Sequence, residues 1–189
     1  LHRGIRKRFP AMTHVDWRFD LPLGPKRCDA ELLMIQPAER LRVYFINQAD
    51  YFDRAGVYGE HGKDYWDNGE RFIFFSKCVV HLARYLPWKP EVVHVHDWHT
   101  GLVPLIVSHQ NQMEKWNDAP RVCLTIHNLA YQGVFPRSTY SLTNLPSNLF
   151  NPDVAEFYGQ LNCLKAGIAA ANIITTVSPR YAREISTAE

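Results

Sequence analysis

Residues 92–101, Val-Val-His-Val-His-Asp-Trp-His-Thr-Gly, place His94, His96, Asp97 and His99 within six positions, directly after a β-branched run. Imidazole and carboxylate at that density suit three chemistries: holding a divalent metal, moving protons, or gripping a polar substrate. For a metal the geometry is awkward. On a strand His94 and His96 project from one face while Val95 and Asp97 take the other, so all four converge only if a turn intervenes. The hydrolase pattern His-x-His-x-Asp-His sets its carboxylate beside the last histidine, whereas here it follows the second, and no further ligand is evident. His94 therefore reads as a hydrogen-bonded core residue, and a metal-dependent hydrolase built on His94, His96 and His99 stays as the alternative. A second polar pair, His127 and Asn128, follows about thirty positions on. A carboxylate, imidazoles and an amide beside Trp98 and Tyr131 are groups that exchange hydrogen bonds with hydroxyls and lie flat against a pyranose ring. On that reading Asp97 balances positive charge developing at an anomeric carbon; on the plainer one it caps the following helix and Trp98 is core. A dinucleotide or P-loop site is excluded by the lack of GxGxxG and GK[ST] motifs, and the lack of GxSxG weakens a serine hydrolase.

The elements that must position these groups are legible from residue 40 onward. Residues 41–47, 91–97, 121–128 and 172–178 are short, rich in Val, Ile and Thr, and apolar on both faces, which predicts strands of a parallel sheet covered on both sides. Between the first two, Phe72, Phe75, Val79, Leu82 and Leu86 recur at three- and four-residue spacing and mark a helix that Pro87 and Pro90 end. Helices are also expected over residues 100–110 with Thr100 as cap, over 157–171, and over 178–185 with Ser178 as N-cap and Pro179 at the first position. Residues 28–47 read as a hairpin around Pro37-Ala38-Glu39, residues 1–25 carry little periodicity, and residues 134–153 form a Pro/Ser/Asn-rich loop. The expected class is α/β, a doubly wound parallel sheet whose ligands bind beyond the carboxyl ends of the strands. Asp97, Trp98 and His99 leave one such end and His127 and Asn128 the next.

Composition narrows the field further. The 189 residues are 46% hydrophobic and 21% charged, enough for one ordinary core. Lys and Arg number 21 against 19 Asp and Glu, so the chain lacks the basic body of a nucleic-acid binder; Arg3, Arg6, Lys7 and Arg8 form only a local basic arm. Four cysteines, Cys28, Cys78, Cys123 and Cys163, stand far apart with no CxxC pair, as reduced, mostly buried thiols would. No apolar run approaches a membrane span and no signal core opens the chain, so no membrane partner and an intracellular setting are expected.

"DRAGVYG…YWDNGERFIFFS", "VHVHDWHTGLVP", "TIHNLAYQGVF" and "LKAGIAAANIITTVSPRYAREI", in that order and spacing, resemble the N-terminal catalytic domain of bacterial glycogen synthases and plant starch synthases over nearly all of residues 40–187. The resemblance implies a Rossmann-like fold, the N-terminal half of a two-Rossmann glycosyltransferase of GT-B type. It implies transfer of glucose from ADP-glucose to the non-reducing 4-hydroxyl of an α-1,4-glucan, with retention and with neither metal nor cofactor. By that resemblance Asp97 and His127 are catalytic, His127 binding the glucose 6-hydroxyl, while Tyr58, Trp98, His99 and Asn128 bind substrate. It implies a bacterial cytoplasm or a plastid stroma. The chain departs from the family's pattern by lacking the first strand, its Lys-x-Gly-Gly-Leu loop and the second Rossmann domain. Residues 1–189 are thus expected to be a single incomplete domain, inactive and prone to self-association when isolated. A non-catalytic glucan-binding module is a further alternative.

Overall fold

The computed structural model describes residues 2–187. Its N-terminal part is an antiparallel meander of β1 (Thr13–Leu23), β2 (Lys26–Ala38) and β3 (Leu41–Asn47), in that order across the sheet. In β1 the residues Val15, Trp17, Phe19, Leu21 and Leu23 alternate with polar neighbours, and the last three are buried. This strand lies where the sequence was read as aperiodic. β2 and β3 form the expected hairpin, with Ala38 opposite Leu41. Residues 41–47 were also expected in the parallel sheet, and that expectation is corrected: β3 pairs antiparallel with β2. A two-residue turn joins only antiparallel strands, since a parallel crossover needs a dozen or more residues.

After the meander, α1 (Asn68–Tyr85) is longer and more widely buried than a single stripe. Ile73, Phe74, Cys78, Val80 and Leu82 are all inside, because the helix is packed between β1 and a second helix. At its flank Lys77 donates to the Thr143 carbonyl at 2.9 Å and to Asn144 Oδ1 at 2.6 Å, and Asn144 in turn bonds the Gly24 backbone at the β1–β2 turn. The loop of residues 134–153 is thereby tied to the meander.

The parallel sheet is built from β4 (Val92–His96), followed by α2 (Leu102–Glu114), then β5 (Arg121–Ile126), α3 (Cys163–Ala170), β6 (Ile173–Thr176) and α4 (Pro179–Ile185). β5 lies in the middle, with β4 and β6 parallel to it on either side. Val122, Leu124 and Ile126 turn one face of the sheet into the core with Val95, Leu102, Val103, Ile106 and Leu164. On the other face His94 Nε2 meets Thr125 Oγ1 at 2.6 Å, and Thr125 meets Thr175 Oγ1 at 2.7 Å. α4 starts as its sequence predicts: Ser178 Oγ accepts the Tyr181 N–H at 3.1 Å, with Pro179 next.

Residues 157–171 do not form one helix. Tyr158 and Gly159 both take positive φ, at 48° and 79°, and turn a small hairpin between Glu156–Phe157 and Gln160–Asn162. The helix therefore waits until Cys163, where Asn162 caps it by accepting the Lys165 N–H. Thr100 is likewise no helix cap. Its hydroxyl bonds both the N–H and the carbonyl of His96 at 2.9 Å, which closes a 3-10 turn over Trp98–Thr100 before α2 begins. All four cysteines are free, Cys78 and Cys163 buried.

Candidate functional site

The site begins where β4 stops. Asp97 sits at φ 55°, ψ −169°, a region that side chains other than glycine's rarely enter and that costs of order 1–3 kcal/mol. Such an outlier persists only when its surroundings hold it. Here the Asp97 N–H donates to the Thr125 carbonyl at 3.0 Å, and Oδ1 accepts the His127 N–H at 2.7 Å and the Asn128 N–H at 3.4 Å. The carboxylate thus locks the exit of β4 to that of β5, thirty residues away in sequence. It caps no helix: the following 3-10 turn receives no side-chain bond from it.

The sharp turn at Asp97 throws the next two rings over the strand end. Trp98 packs edge-on against Phe72 with centroids 4.9 Å apart, and against Phe135 at 5.6 Å. His99 stacks on Tyr58 at 4.7 Å and 23°. Burial pushes the His99 pKa down to about 4, with Asp97 opposing that shift, so at neutral pH it is an uncharged imidazole. Behind Trp98 the chain passes so close that only glycine fits: a Cβ on Gly133 would lie 2.4 Å from Trp98 Cε3, and Gly133 has φ +62°.

The facing wall comes from residues 53–68. Arg54 grips Asp67 with both terminal nitrogens, at 2.7 and 2.6 Å, and Asn68 Nδ2 donates to the Tyr58 carbonyl at 2.8 Å. The two walls enclose a cleft of about 500 Å³ lined by Tyr58, Asp64, Asn68, Asp97, Trp98, His99, Asn128 and Tyr131. Five of the six expected site residues therefore meet there: Tyr58, Asp97, Trp98, His99 and Asn128. The sixth, His127, is not among the lining residues. Its backbone bonds Asp97, and its Nε2 lies 3.0 Å from Nδ1 of His96. Asp64 and Asn68 escaped the sequence reading, although Asn68 opens a strongly patterned helix, where exposed N–H groups favour polar ligands.

The metal cage of His94, His96 and His99 does not assemble. His94 and His96 lie tilted at 40° with centroids 4.4 Å apart, and His94 bonds Thr125, whereas His99 turns into the rings of Tyr58, Phe72 and Trp98. Among the described residues no group of three or more His, Cys, Asp or Glu side chains is placed to hold a metal ion. Burial, and then the neighbouring His94 and His127, hold the His96 pKa below its ordinary value, against the pull of Asp97. What the cleft offers is two carboxylates, Asp64 and Asp97, with a neutral imidazole, amides, phenols and an indole edge. That set can bind hydroxyls and ring faces and can meet a developing positive charge.

Comparison with known proteins agrees with that chemistry. The profile of the starch synthase catalytic domain matches residues 3–189, further towards the N-terminus than the motifs alone reach. Glycogen synthase from Opitutus terrae is 40% identical over 98% of the chain, and glycogen synthase from Thermodesulfovibrio yellowstonii is 43% identical over 82% of it. The chain spans 38% and 31% of the length of those two relatives. The catalytic domain of starch synthase IV from Arabidopsis thaliana, solved bound to ADP and acarbose, superimposes with a TM-score of 0.80 at 31% identity, over 94% of this chain and 36% of that one. No helix of the described residues is long and apolar enough to cross a membrane. By sequence and by fold, the chain belongs to the starch synthase catalytic domain family.

Proposed function

We propose that this chain supplies the acceptor-side wall of a retaining glycosyltransferase that moves glucose from ADP-glucose to the non-reducing 4-hydroxyl of an α-1,4-glucan, in a bacterial cytoplasm or a plastid stroma. The observation that carries the reading is the cleft at the ends of β4 and β5, where Asp97, Trp98, His99 and Asn128 face Tyr58. In the transfer, the bond from the anomeric carbon to the diphosphate oxygen breaks, a bond to the acceptor oxygen forms on the same face, and the acceptor hydroxyl proton leaves to the departing diphosphate. Asp97 has Oδ1 committed to backbone N–H groups and no protein partner for Oδ2 among the described residues, so its charge is fixed in place before the sugar arrives. A preorganised carboxylate of that kind stabilises an oxocarbenium-like carbon without reorganising. Neutral His99 and Asn128 hold sugar hydroxyls. The glucose 6-hydroxyl falls to His127 by the family resemblance, with its Nε2 at present 3.0 Å from Nδ1 of His96.

The charge that grows most in the reaction is on the departing diphosphate, and the groups that would meet it belong to a Lys-x-Gly-Gly-Leu loop and a second Rossmann domain. The ADP carried by the Arabidopsis neighbour supports a nucleotide-diphosphate leaving group. The test is a labelled-glucose incorporation assay on the full-length protein and on residues 1–189 alone. The expected result is incorporation into glycogen by the first and none by the second. Robust turnover by residues 1–189 would overturn the division of labour, and no transfer by the full-length protein from any nucleotide-glucose would sink the assignment.

A further inference from the structure

The segment that walls the cleft opposite Asp97 displays one residue that the transfer chemistry does not use. Trp66 is 92% exposed, the most exposed of the large hydrophobic side chains among the described residues. Scattered exposed apolar residues are ordinary, but an indole held in water by a rigid backbone is not. Its neighbours are fixed on both sides. The Tyr65 N–H bonds the Tyr58 carbonyl at 2.9 Å, the Tyr65 hydroxyl accepts the Gly56 N–H, and the Tyr65 ring lies beneath the guanidinium groups of Arg54 and Arg71, at 4.7 and 5.0 Å. Asp67 is buried in its two-pronged pair with Arg54.

Arg71 completes the brace. It is fully buried, makes no carboxylate ion pair among the described residues, and donates instead to the Tyr51 carbonyl at 2.7 Å, the Val57 carbonyl at 3.0 Å and Asn68 Oδ1 at 2.5 Å. A buried guanidinium satisfied by carbonyl oxygens is a costly way to hold a loop, and it holds this one from Tyr51 to Asn68. Two residues before Trp66 stands Asp64 and two after it stands Asn68, both lining the cleft. Tyr58 and Tyr131, also in that lining, are 47% and 67% exposed. The rim therefore carries two aromatic faces open to solvent, Tyr58 and Tyr131, and Trp66 stands next to it in the chain, two residues from Asp64 and two from Asn68.

We propose that Trp66 is an outer subsite for the glucan acceptor, a flat apolar face on which glucose units beyond those at the transfer site stack as the chain leaves the cleft. This rests on the glucan-transferase reading and adds to it the place where chain length is sensed. The α-1,4-glucan suits such a platform because each pyranose presents a C–H face to the ring while its hydroxyls stay in water. The bonds of Tyr65 and Asp67 fix the backbone that carries the ring, while the freely turning indole gives up rotamer freedom when a sugar settles on it, which keeps the gain per stacked unit modest.

Trp66→Ala tests this in the full-length protein, and an exposed site makes the variant safe to fold. The KM for maltoheptaose and glycogen should rise about three- to tenfold, while the KM values for maltotriose and ADP-glucose stay within about twofold. Trp66→Phe should recover most of the loss. An unchanged KM for long acceptors overturns the subsite, and so does an equal rise for short and long acceptors or for the donor. Loss of self-association with unaltered chain-length preference would assign Trp66 to a protein contact and overturn it too. If the wild-type protein transfers no glucose, the catalytic reading fails by itself; calorimetric titration with maltoheptaose then decides the subsite, with weaker binding by Trp66→Ala supporting it and equal binding refuting it.

Discussion

Gly133→Ala probes how the cleft is shaped from behind. The added methyl would meet Trp98 Cε3 at 2.4 Å and Cδ2 at 2.7 Å, where carbon atoms rest at about 3.5–4.0 Å, so ring and backbone must part by roughly 1 Å. Overpacking of this kind costs about 1–3 kcal/mol, and alanine at φ +62° adds about 1–2 kcal/mol. Together about 2–5 kcal/mol is at stake, which for a domain of this size lowers Tm by about 5–15 °C. Trp98 is hemmed in by Phe72, Phe135 and His99, so displacing it disturbs the cleft wall that it forms. In the full-length protein, Gly133→Ala should therefore lower Tm, shift tryptophan emission and weaken maltooligosaccharide binding. Introduced on a Trp98→Ala background, the same change should cost little beyond the backbone part of about 1–2 kcal/mol, since the indole is gone and only the Cβ at position 98, 3.0 Å away, remains to be eased aside. A Gly133→Ala variant with wild-type Tm and sugar affinity, or a penalty undiminished by Trp98→Ala, would refute the argument.

The strained backbone at Asp97 separates two substitutions that remove the same carboxylate. Asp97→Gly relieves the φ 55° strain while losing the bond to the His127 N–H, whereas Asp97→Ala loses the bond and keeps the strain; the glycine variant should melt higher, by an amount reflecting about 1–3 kcal/mol, and the reverse order in differential scanning calorimetry would show that the outlier stores no strain. His99 has its folded pKa lowered from 6.5 to about 4, so between those values the unfolded chain binds more protons. The stability its burial provides is complete above about pH 6.5 and is lost as pH falls toward 4, and His99→Gln should flatten the fall of Tm over that range; an unchanged slope would contradict the burial of a neutral ring.

Much of the site was legible because parallel strands announce themselves. The β-branched runs ending at His96 and Ile126 place Asp97 and Asn128 on one edge by pattern alone. What stayed hidden has identifiable causes. β1 alternates Val15, Trp17, Phe19, Leu21 and Leu23 at a period of two, a signal that was present and passed over. The meander captured residues 41–47 because a two-residue turn outranks apolar character in choosing a partner. Aspartate enters positive φ mostly in the left-handed helical region, and the combination of φ 55° with ψ −169° is one that glycine favours, so nothing local foretold the kink that aims Trp98 and His99. Arginine is ordinarily exposed, so its residue type argued against the burial of Arg71, and with that brace the facing wall with Asp64 and Asn68 went unseen.

The central claim is that the carboxylate of Asp97, fixed between two strand ends, stabilises the transferring sugar. Asp97→Asn tests it most directly, because asparagine has the same shape as aspartate and its Oδ1 can accept the same His127 N–H, leaving fold and cleft in place while removing the charge. Turnover of ADP-glucose into glycogen by the full-length Asp97→Asn variant should fall by about a hundredfold or more at a Tm close to that of the wild type. Near-normal glucosyl transfer by that variant would contradict the account.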